Sequence, residues 1–366
     1  MHIYVHVPFC ARRCSYCDFS IAVRRVVPST QFASAVSREW ATWQAHSVWN
    51  TSPTIETVYF GGGTPSRLDP IAIQTLLDRI RADRPVGGDA EITLEANPDD
   101  ITPEAADRWR GAGVNRVSLG VQSFDVGVLA WMHRTHTADQ SRAAVATLRR
   151  AGIGNVSLDL IFALPPALGR DWPRDLDEAF ALEPDHLSLY GLTVETHTPL
   201  ARWRERGEVL LGDDDAYARD FLKAADRFER EGWDHYEVSN AARPGFRSRH
   251  NSAYWRRAPY IGLGPSAHSG FGAERSWNVR EWEAWRVRAG AGQSLTAGSE
   301  ELSPDAVSVE NLYLGLRTRE GVPAGALDGD QAGTWIAEGW ARAEHGRIRL
   351  TPEGWLRLDA LVGAAK

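Results

Sequence analysis

The stretch VPFCARRCSYCDF, residues 7–19, contains all three cysteines of the 366-residue chain, Cys10, Cys14 and Cys17. An odd number of thiols within eight residues is no disulfide framework, and in a reducing compartment it indicates a metal or cluster site. A structural zinc needs four protein ligands, and nearby His6 could complete a Cys3His set, so zinc remains an alternative. A [4Fe–4S] cluster usually takes four thiolates, so three of them would leave one iron open to another ligand.

The sequence around this stretch alternates between strand-like and helix-like segments. Strong β-formers bounded by Gly, Pro or Asn predict strands at 2–7, 57–63, 91–97, 116–123, 156–165 and 186–192. Helical length and spacing predict helices at 31–49, 70–84, 102–112, 138–151, 171–182 and 213–231. Six βα units with short connections imply a parallel sheet covered by helices. We therefore predict an α/β fold, a partial (β/α)6 TIM-like barrel.

The chain is divided by this pattern into three predicted parts. Residues 1–210 form the partial barrel, 211–300 extend it, and 301–366 form a small α+β unit with a winged-helix-like pattern. A DNA-binding winged helix and a lid or packing unit are the two interpretations of the last part. Acidic residues are mixed evenly with Arg there, which favours the lid or packing unit.

Composition excludes several classes of function. A net charge of -7 and a pI near 5.9 argue against a nucleic-acid-binding protein with a basic surface. The N-terminus runs directly into a strand pattern rather than a signal peptide, which predicts a cytoplasmic protein. No apolar run approaches the roughly 18 residues of a membrane span, so any membrane contact would be peripheral.

Polar and glycine residues follow the predicted strands, at the sheet edge where parallel barrels build their sites. The segment GGGTPS, which begins at 61, is either a tight turn or a place where backbone amides approach a ligand closely. Glu95 stands in an apolar strand, where an unpaired carboxylate is costly, and a ribose diol would be a fitting partner. Gln122, Arg134 and Asp159 form either a ligand site or a structural polar network.

The segment HNSAYW, which begins at His250, groups a histidine with aromatic residues. Tyr254 and Trp255 follow His250 by four and five residues. The grouping suits a histidine ligand to an iron porphyrin with rings facing the macrocycle. An aromatic packing corner is the alternative interpretation.

Several blocks together resemble one protein family. The C-x3-C-x2-C spacing resembles the signature of radical S-adenosylmethionine (SAM) proteins. The other blocks resemble, in family order, the oxygen-independent coproporphyrinogen III oxidase-like group of that family; they are YFGGGTPS, LEANPDD, RVSLGVQSF, LDLIFALP, HLSLYGLTVE, YEVSNAARPGFRSRHNSAYW and YIGLGPSAH. The resemblance covers about residues 3 to 270.

The resemblance implies cofactors and the residues that hold them. The three cysteines would hold a [4Fe–4S] cluster whose open iron is chelated by the amine and carboxylate of SAM. One electron from the cluster would then cleave SAM to a 5′-deoxyadenosyl radical. SAM-binding positions of the family fall on Tyr4 and Tyr16 beside the cofactors, on Gly62, Gly63 and Thr64 for the methionine moiety, on Glu95 for the ribose, and on Gln122, Arg134 and Asp159. Thr193 and His268 fall at positions of a second SAM but have the wrong residue types, which leaves that second site in doubt.

Two departures set the chain apart from the oxidase itself and match the heme-chaperone branch of the family. Asp18 and Phe19 follow Cys17 where the oxidase has a further C-x-C cysteine, and the sequence starts about two residues before its first predicted strand, whereas the oxidase has an N-terminal extension. The branch also shares the H-N-x-x-Y-W pattern, which implies heme binding by His250 as ligand together with Asn251, Tyr254 and Trp255.

The implied function is a carrier that binds heme, the cluster and SAM and delivers heme to acceptor proteins, with a small electron-donor protein as a further partner. Whether the carrier catalyses a reaction stays open, and coproporphyrinogen oxidase activity is not expected. The alternatives are an oxidase that decarboxylates coproporphyrinogen III and a relative that degrades or methylates heme.

Overall fold

The computed structural model describes residues 1–364. The strands are β1 (His2–Val7), β2 (Phe9–Cys10), β3 (Ala22–Val23), β4 (Ile55–Gly62), β5 (Val86–Ala96), β6 (Arg116–Gln122), β7 (Asn155–Phe162), β8 (His186–Gly191), β9 (Asp234–Glu237), β10 (Asn240–Ala242), β11 (Tyr260–Leu263), β12 (His268–Phe271), β13 (Glu274–Asn278), β14 (Thr296–Glu301), β15 (Val322–Pro323), β16 (Ala341–Glu344) and β17 (Arg347–Leu350). The helices are α1 (Ser29–Thr42), α2 (Pro70–Asp83), α3 (Pro103–Ala112), α4 (Val126–Trp131), α5 (Ala138–Arg150), α6 (Trp172–Ala181), α7 (Pro199–Glu205), α8 (Asp214–Arg230), α9 (Arg249–Trp255), α10 (Trp282–Ala291), α11 (Pro304–Leu316), α12 (Gly329–Ala337), α13 (Pro352–Trp355) and α14 (Leu358–Ala364).

The six predicted strands form one parallel series in the order β1-β4-β5-β6-β7-β8. Helices connect them, so the predicted α/β partial barrel is confirmed. The sheet is larger than predicted: β11 adds in parallel beside β1, and antiparallel strands extend both edges to twelve strands. The end strands β14 and β9 do not pair with each other, so the barrel is incomplete.

The first predicted helix, 31–49, is too long. Helix α1 ends at Thr42, and short 3-10 turns follow at Trp43–Ala45 and Ser47–Asn50. The break lets the Trp49 ring meet Trp40 edge-on, with ring centroids 5.7 Å apart, while its indole N–H donates to the Trp43 carbonyl. Packing of two large rings therefore overrides the helical pattern.

The two faces of the parallel strands differ in character because side chains alternate along a strand. One face carries apolar residues such as Ile3, Val58 and Leu94, which are buried in the main core. The other face is polar, and its side chains form hydrogen bonds between neighbouring strands: His2 to Thr57, Tyr59 to Glu95, Ser118 to Asp159 and Ser157 to His186. The interior of the partial barrel is therefore a layer of polar residues beneath the site.

Helix ends follow the local signals of the sequence. Thr137 and Gln140 form a reciprocal capping box at the start of α5, and α3 is capped at its C-terminus by Gly113, whose φ of 104° suits glycine. Within residues 1–364, no helix is both long and apolar enough to cross a membrane.

The C-terminal part has its own three-stranded sheet, β15-β17-β16, packed with α11 to α14. A single β-bridge joins Thr318 to Glu237 of β9, and the Trp355 ring meets His235 of β9 edge-on, with ring centroids 4.7 Å apart. This attachment to the large sheet is what the packing interpretation predicts. The three domain ranges remain predictions, and residues 365–366 of the last range lie outside the described part.

Candidate functional site

A cavity of about 580 Å³ lies at the carboxyl ends of the parallel strands. This is the size range of small-molecule sites. The cavity is lined by most of the predicted SAM and cluster residues, namely Cys10, Cys14, Tyr16, Cys17, Gly62, Gly63, Thr64, Glu95, Gln122, Arg134 and Asp159. The fold thus brings together residues that are up to 149 positions apart between Cys10 and Asp159.

The three cysteines are free thiols in the segment that follows β1; Cys10 ends β2, and Cys14 and Cys17 lie in the loop after it. Cys10 is buried and accepts a hydrogen bond from the Thr64 hydroxyl at 3.4 Å, while the Arg134 guanidinium lies 3.6 Å from the Cys14 sulfur. Burial raises the pKa of the Cys17 thiol to about 11. Metal ligation requires the thiolate, so a bound cation would have to offset the free-energy cost of burying that charge.

The zinc alternative finds no support in the position of His6. Its Nδ1 lies 3.1 Å from the Tyr4 hydroxyl and its Nε2 lies 3.0 Å from the Ser20 carbonyl, so both ring nitrogens have partners. In the part of the chain that the structure describes, no three His, Cys, Asp or Glu side chains converge as ligands of one ion. The three thiols line one cavity. They fit an iron–sulfur cluster, in which each thiolate binds a different iron, better than they fit a single zinc ion.

The glycine turn, residues 61–64, has no room for side chains at Gly62 and Gly63. Gly62 has a φ of 112°, and a Cβ there would lie 2.7 Å from the His6 ring. A Cβ on Gly63 would lie 2.9 Å from the Phe9 carbonyl oxygen and 3.0 Å from the Cys10 sulfur. The turn is therefore both tight and stripped of side chains beside the cysteine loop, which fits a cofactor approaching the backbone.

A Gly62→Ala substitution is expected to lower the free energy of unfolding by about 1–3 kcal/mol, because it forces both strain at positive φ and a clash with His6. Gly88→Ala is the control, since Gly88 is exposed and a Cβ there meets nothing within 4 Å. Urea denaturation of both variants measures the difference. Equal stability of the two variants would contradict this account of the turn.

Two partly buried carboxyl groups face the cavity. Glu95 accepts hydrogen bonds from the Tyr59 hydroxyl at 2.8 Å and from the Gly62 amide at 3.0 Å, and burial raises its pKa to about 7. Asp159 accepts from the Ser118 hydroxyl at 2.9 Å, and burial raises its pKa to about 6. Both carboxyls can accept hydrogen bonds from ligand hydroxyl groups.

Arg134 is fixed between the third and fourth parallel strands of the series. Its guanidinium donates to the Asn97 side chain at 2.6 Å and to the Gly120 carbonyl at 2.8 Å, as a structural polar network would. Its Nε is nevertheless buried without a partner among the described residues, which fits a missing ligand. Gln122 ends β6 with a φ of 67° and lines the same cavity.

Of the remaining residues that the family resemblance singled out, Tyr4 and His268 do not line the cavity. Tyr4 lies beneath the glycine turn, where its ring is 3.0 Å from a Cβ placed on Gly61. Of the two positions for a second SAM, Thr193 lines the cavity, whereas His268 is exposed on β12 outside it. The structure therefore does not bring the second pair together.

The HNxxYW motif, residues 250–255, lies on α9. This helix packs against β4, the strand that leads into the glycine turn. His250 is 1% exposed; its Nδ1 lies 2.6 Å from the Thr57 hydroxyl and its Nε2 lies 2.9 Å from the Tyr254 hydroxyl. Its ring stacks on Tyr59 at 5.0 Å, and burial lowers its pKa well below the usual value. This is the geometry of a packing corner, so iron ligation by His250 requires one of these two hydrogen bonds to open.

Asn251 and Trp255 of the same motif are partly exposed. The Trp255 ring supports the Arg317 guanidinium, which is centred 4.3 Å from the ring. Arg317, together with Ser239 and Tyr217, lines the cavity and was not predicted. No sequence signal marks Arg317, because its neighbours in the cavity are at least 78 positions away, the separation from Ser239.

Comparison with known proteins identifies the family of the chain. The model of the radical SAM superfamily matches residues 4–179. The chain is 38% identical over 369 residues to the heme chaperone HemW of Mycobacterium tuberculosis, covering 98% of this chain and 93% of that protein. It is 37% identical to HemW of Escherichia coli over 73% of this chain and 69% of the relative.

Two further proteins are similar to this chain, one in sequence and one in fold. The mitochondrial radical S-adenosyl methionine domain-containing protein 1 of Danio rerio is 34% identical, over 87% of this chain and 73% of that protein. The solved structure of coproporphyrinogen III oxidase (HemN) from Escherichia coli superposes with a TM-score of 0.81 over 99% of this chain and 88% of that one. At 21% identity, this last similarity establishes the fold alone.

Proposed function

This chain belongs to the HemW family of heme chaperones within the radical SAM superfamily, and on that premise we propose that it binds heme and delivers it to acceptor proteins. The observation that carries the proposal is the extent of the similarity: 38% identity to a HemW protein over 98% of the chain. The aligned region therefore spans the cysteine segment, the segment that contains HNxxYW and most of the C-terminal part.

The cluster and SAM are part of the proposal. Cys10, Cys14 and Cys17 would hold the [4Fe–4S] cluster, and SAM would lie against the glycine turn with Glu95 and Arg134. The cluster supplies one-electron chemistry and an open iron for the cofactor. The residues of the chain position both groups and, through the buried layer below them, keep water from the barrel interior.

The partners follow from the same proposal. Acceptors would be apo-forms of heme proteins, including those of the respiratory chain, and a small protein would supply electrons to the cluster. Three free thiols grouped in one cavity suit a reducing compartment, so we place the protein in the cytoplasm.

The proposal is tested with protein whose cluster has been rebuilt under anaerobic conditions. Wild type and His250→Ala are titrated with heme and then mixed with an apo-acceptor, and optical spectra follow both steps. His268→Ala is the matched control, because His268 is exposed and outside the cavity. We expect one heme per wild-type chain and transfer to the acceptor, with a changed heme spectrum in His250→Ala only.

The same preparation tests the oxidase alternative. Coproporphyrinogen III, SAM and a reductant are added, and decarboxylated product is measured. Product without stable heme binding would reject the carrier and favour the oxidase. Heme binding and transfer without product would support the carrier.

The proposed contact of Glu95 with the ribose of SAM predicts a pH dependence. Ribose hydroxyls donate to a carboxylate, and a pKa of about 7 means that Glu95 is mostly protonated below that pH. SAM affinity should therefore rise from pH 6 to pH 8, by up to about tenfold per unit below the pKa. Calorimetric titration of wild type and Glu95→Gln measures it. The amino group of SAM titrates in both proteins, so an identical slope in Glu95→Gln would refute the contact.

A further inference from the structure

A second part of the cavity wall contains none of the residues proposed to hold the cluster or the first SAM. It is built from the last strand of the parallel series, from α8 and from the C-terminal part, and its polar residues are Tyr190, Thr193, Glu195, Tyr217, Ser239 and Arg317. Arg317 is the cation of this group. The other arginines of the cavity lie with the cysteines, where Arg12 donates to the main chain of Arg134.

The backbone at Arg317 is anchored to the large sheet. The Arg317 carbonyl accepts from the Val238 amide at 3.2 Å, and the Arg319 amide donates to the Tyr236 carbonyl at 2.9 Å. The C-terminal part therefore inserts one arginine into the wall of the barrel cavity at a fixed position.

The side chain of Arg317 is held on three sides. Its Nε lies 2.9 Å from a carboxylate oxygen of the buried Glu237, its Nη2 donates to the Ser239 hydroxyl at 3.1 Å, and its plane lies over Trp255. The side chain keeps 18% of its surface exposed and lines the cavity. A guanidinium has five N–H donors, so these contacts leave donors for a ligand.

Trp255 links this arginine to the HNxxYW motif. Neither Trp255 nor His250 lines the cavity, but the guanidinium that Trp255 supports does. The ring fixes the plane of the guanidinium, as cation–π stacking does. The motif can therefore affect the cavity by orienting Arg317, although no residue of the motif lines the cavity.

We propose that Arg317 forms a carboxylate subsite in the cavity and that it binds a propionate of the heme cargo. A fixed, planar guanidinium suits bidentate binding of a carboxylate. Heme carries its two propionates at one edge of an apolar macrocycle, and apolar side chains, Ile161, Leu192 and Val238, lie in the same cavity wall. This inference rests on the proposed function, from which heme is taken as the cargo.

The subsite is tested by comparing hemin with hemin dimethyl ester, in which both propionates are neutral. Dissociation constants are measured by optical titration for wild type, Arg317→Gln and the double variant Arg317→Gln with Glu237→Gln. The double variant removes both members of the buried pair, so no charge is left unpaired. Arg319→Gln is the matched control, because Arg319 is 58% exposed and pairs with Asp234 at 2.8 Å.

We expect wild type and Arg319→Gln to bind hemin about tenfold more tightly than the diester, as a charge-assisted hydrogen bond allows. Both Arg317 variants should bind the two ligands equally. If the double variant keeps the wild-type preference while wild type binds and delivers hemin, the subsite is wrong and the proposed function stands. If wild type binds neither hemin nor the diester, both the subsite and the proposed function are wrong.

Discussion

A Cys14→Ser variant is expected to retain less than a tenth of the cluster iron of wild type after anaerobic reconstitution, and to cleave no SAM. A serine hydroxyl is a poor substitute for a thiolate ligand to iron. The chain has only three cysteines, so no other thiol can replace the lost ligand. Iron analysis, the visible spectrum and an assay of SAM cleavage measure the result.

The fold of this variant should be unchanged, because Cys14 is partly exposed on the cavity wall and contributes nothing to the apolar core. Ser15→Ala is the neighbouring control; the Ser15 hydroxyl is buried without a partner within residues 1–364, so its loss should leave the cluster intact. A full cluster in Cys14→Ser would refute the assignment of the cysteines.

Heme transfer by the same variant addresses the role of the cluster. If the cluster and SAM set the state that permits transfer, Cys14→Ser should bind heme as wild type does and deliver it poorly. Unimpaired delivery to an apo-acceptor would separate the carrier function from the cluster.

An Asp175→Ala variant is expected to lose about 3–5 kcal/mol of the free energy of unfolding, as breaking a buried ion pair does. Asp175 accepts hydrogen bonds from the Ser123 hydroxyl at 2.6 Å, the Phe124 amide at 2.9 Å and Arg170 at 2.9 Å. Both side chains of the pair are 4% exposed. The substitution leaves a buried guanidinium unpaired next to the loop that follows β6, and urea denaturation measures the loss.

Two further variants distinguish the ion pair from general packing. Glu208→Ala removes a similar pair on the surface, where the partners are about half exposed, and it should change nothing measurable. The double variant Asp175→Leu with Arg170→Met should recover much of the lost stability, because it leaves no unpaired charge. A loss below about 1 kcal/mol in Asp175→Ala would show that the pair is no better than a surface one.

Much of the site is readable from the sequence because its signals are local. The cysteine spacing, the glycines that follow a strand, and a carboxylate in an apolar strand each lie within a few residues. The cavity accordingly contains Cys10, Gly62 and Glu95. Parallel strands place their carboxyl ends at one edge, so the order of the strands suffices to bring these residues together.

The HNxxYW motif shows where the sequence is insufficient. Its pattern allows both a heme ligand and a packing corner, and the partner of the His250 Nδ1 atom is Thr57, 193 residues away. The antiparallel edges of the sheet were missed for a similar reason, because short strands such as β10 and β12 are defined by their partners.

The sequence by itself determined the radical SAM signature, the six βα units, and the cysteines, glycines and Glu95 of the cavity wall, because all of them are patterns of neighbouring residues. Only the tertiary structure decided that both nitrogens of His250 are engaged and that Arg317 enters the cavity. Both outcomes depend on burial and on partners that are remote in the chain. Such contacts arise when the sheet and the C-terminal part pack together, and no local pattern encodes them.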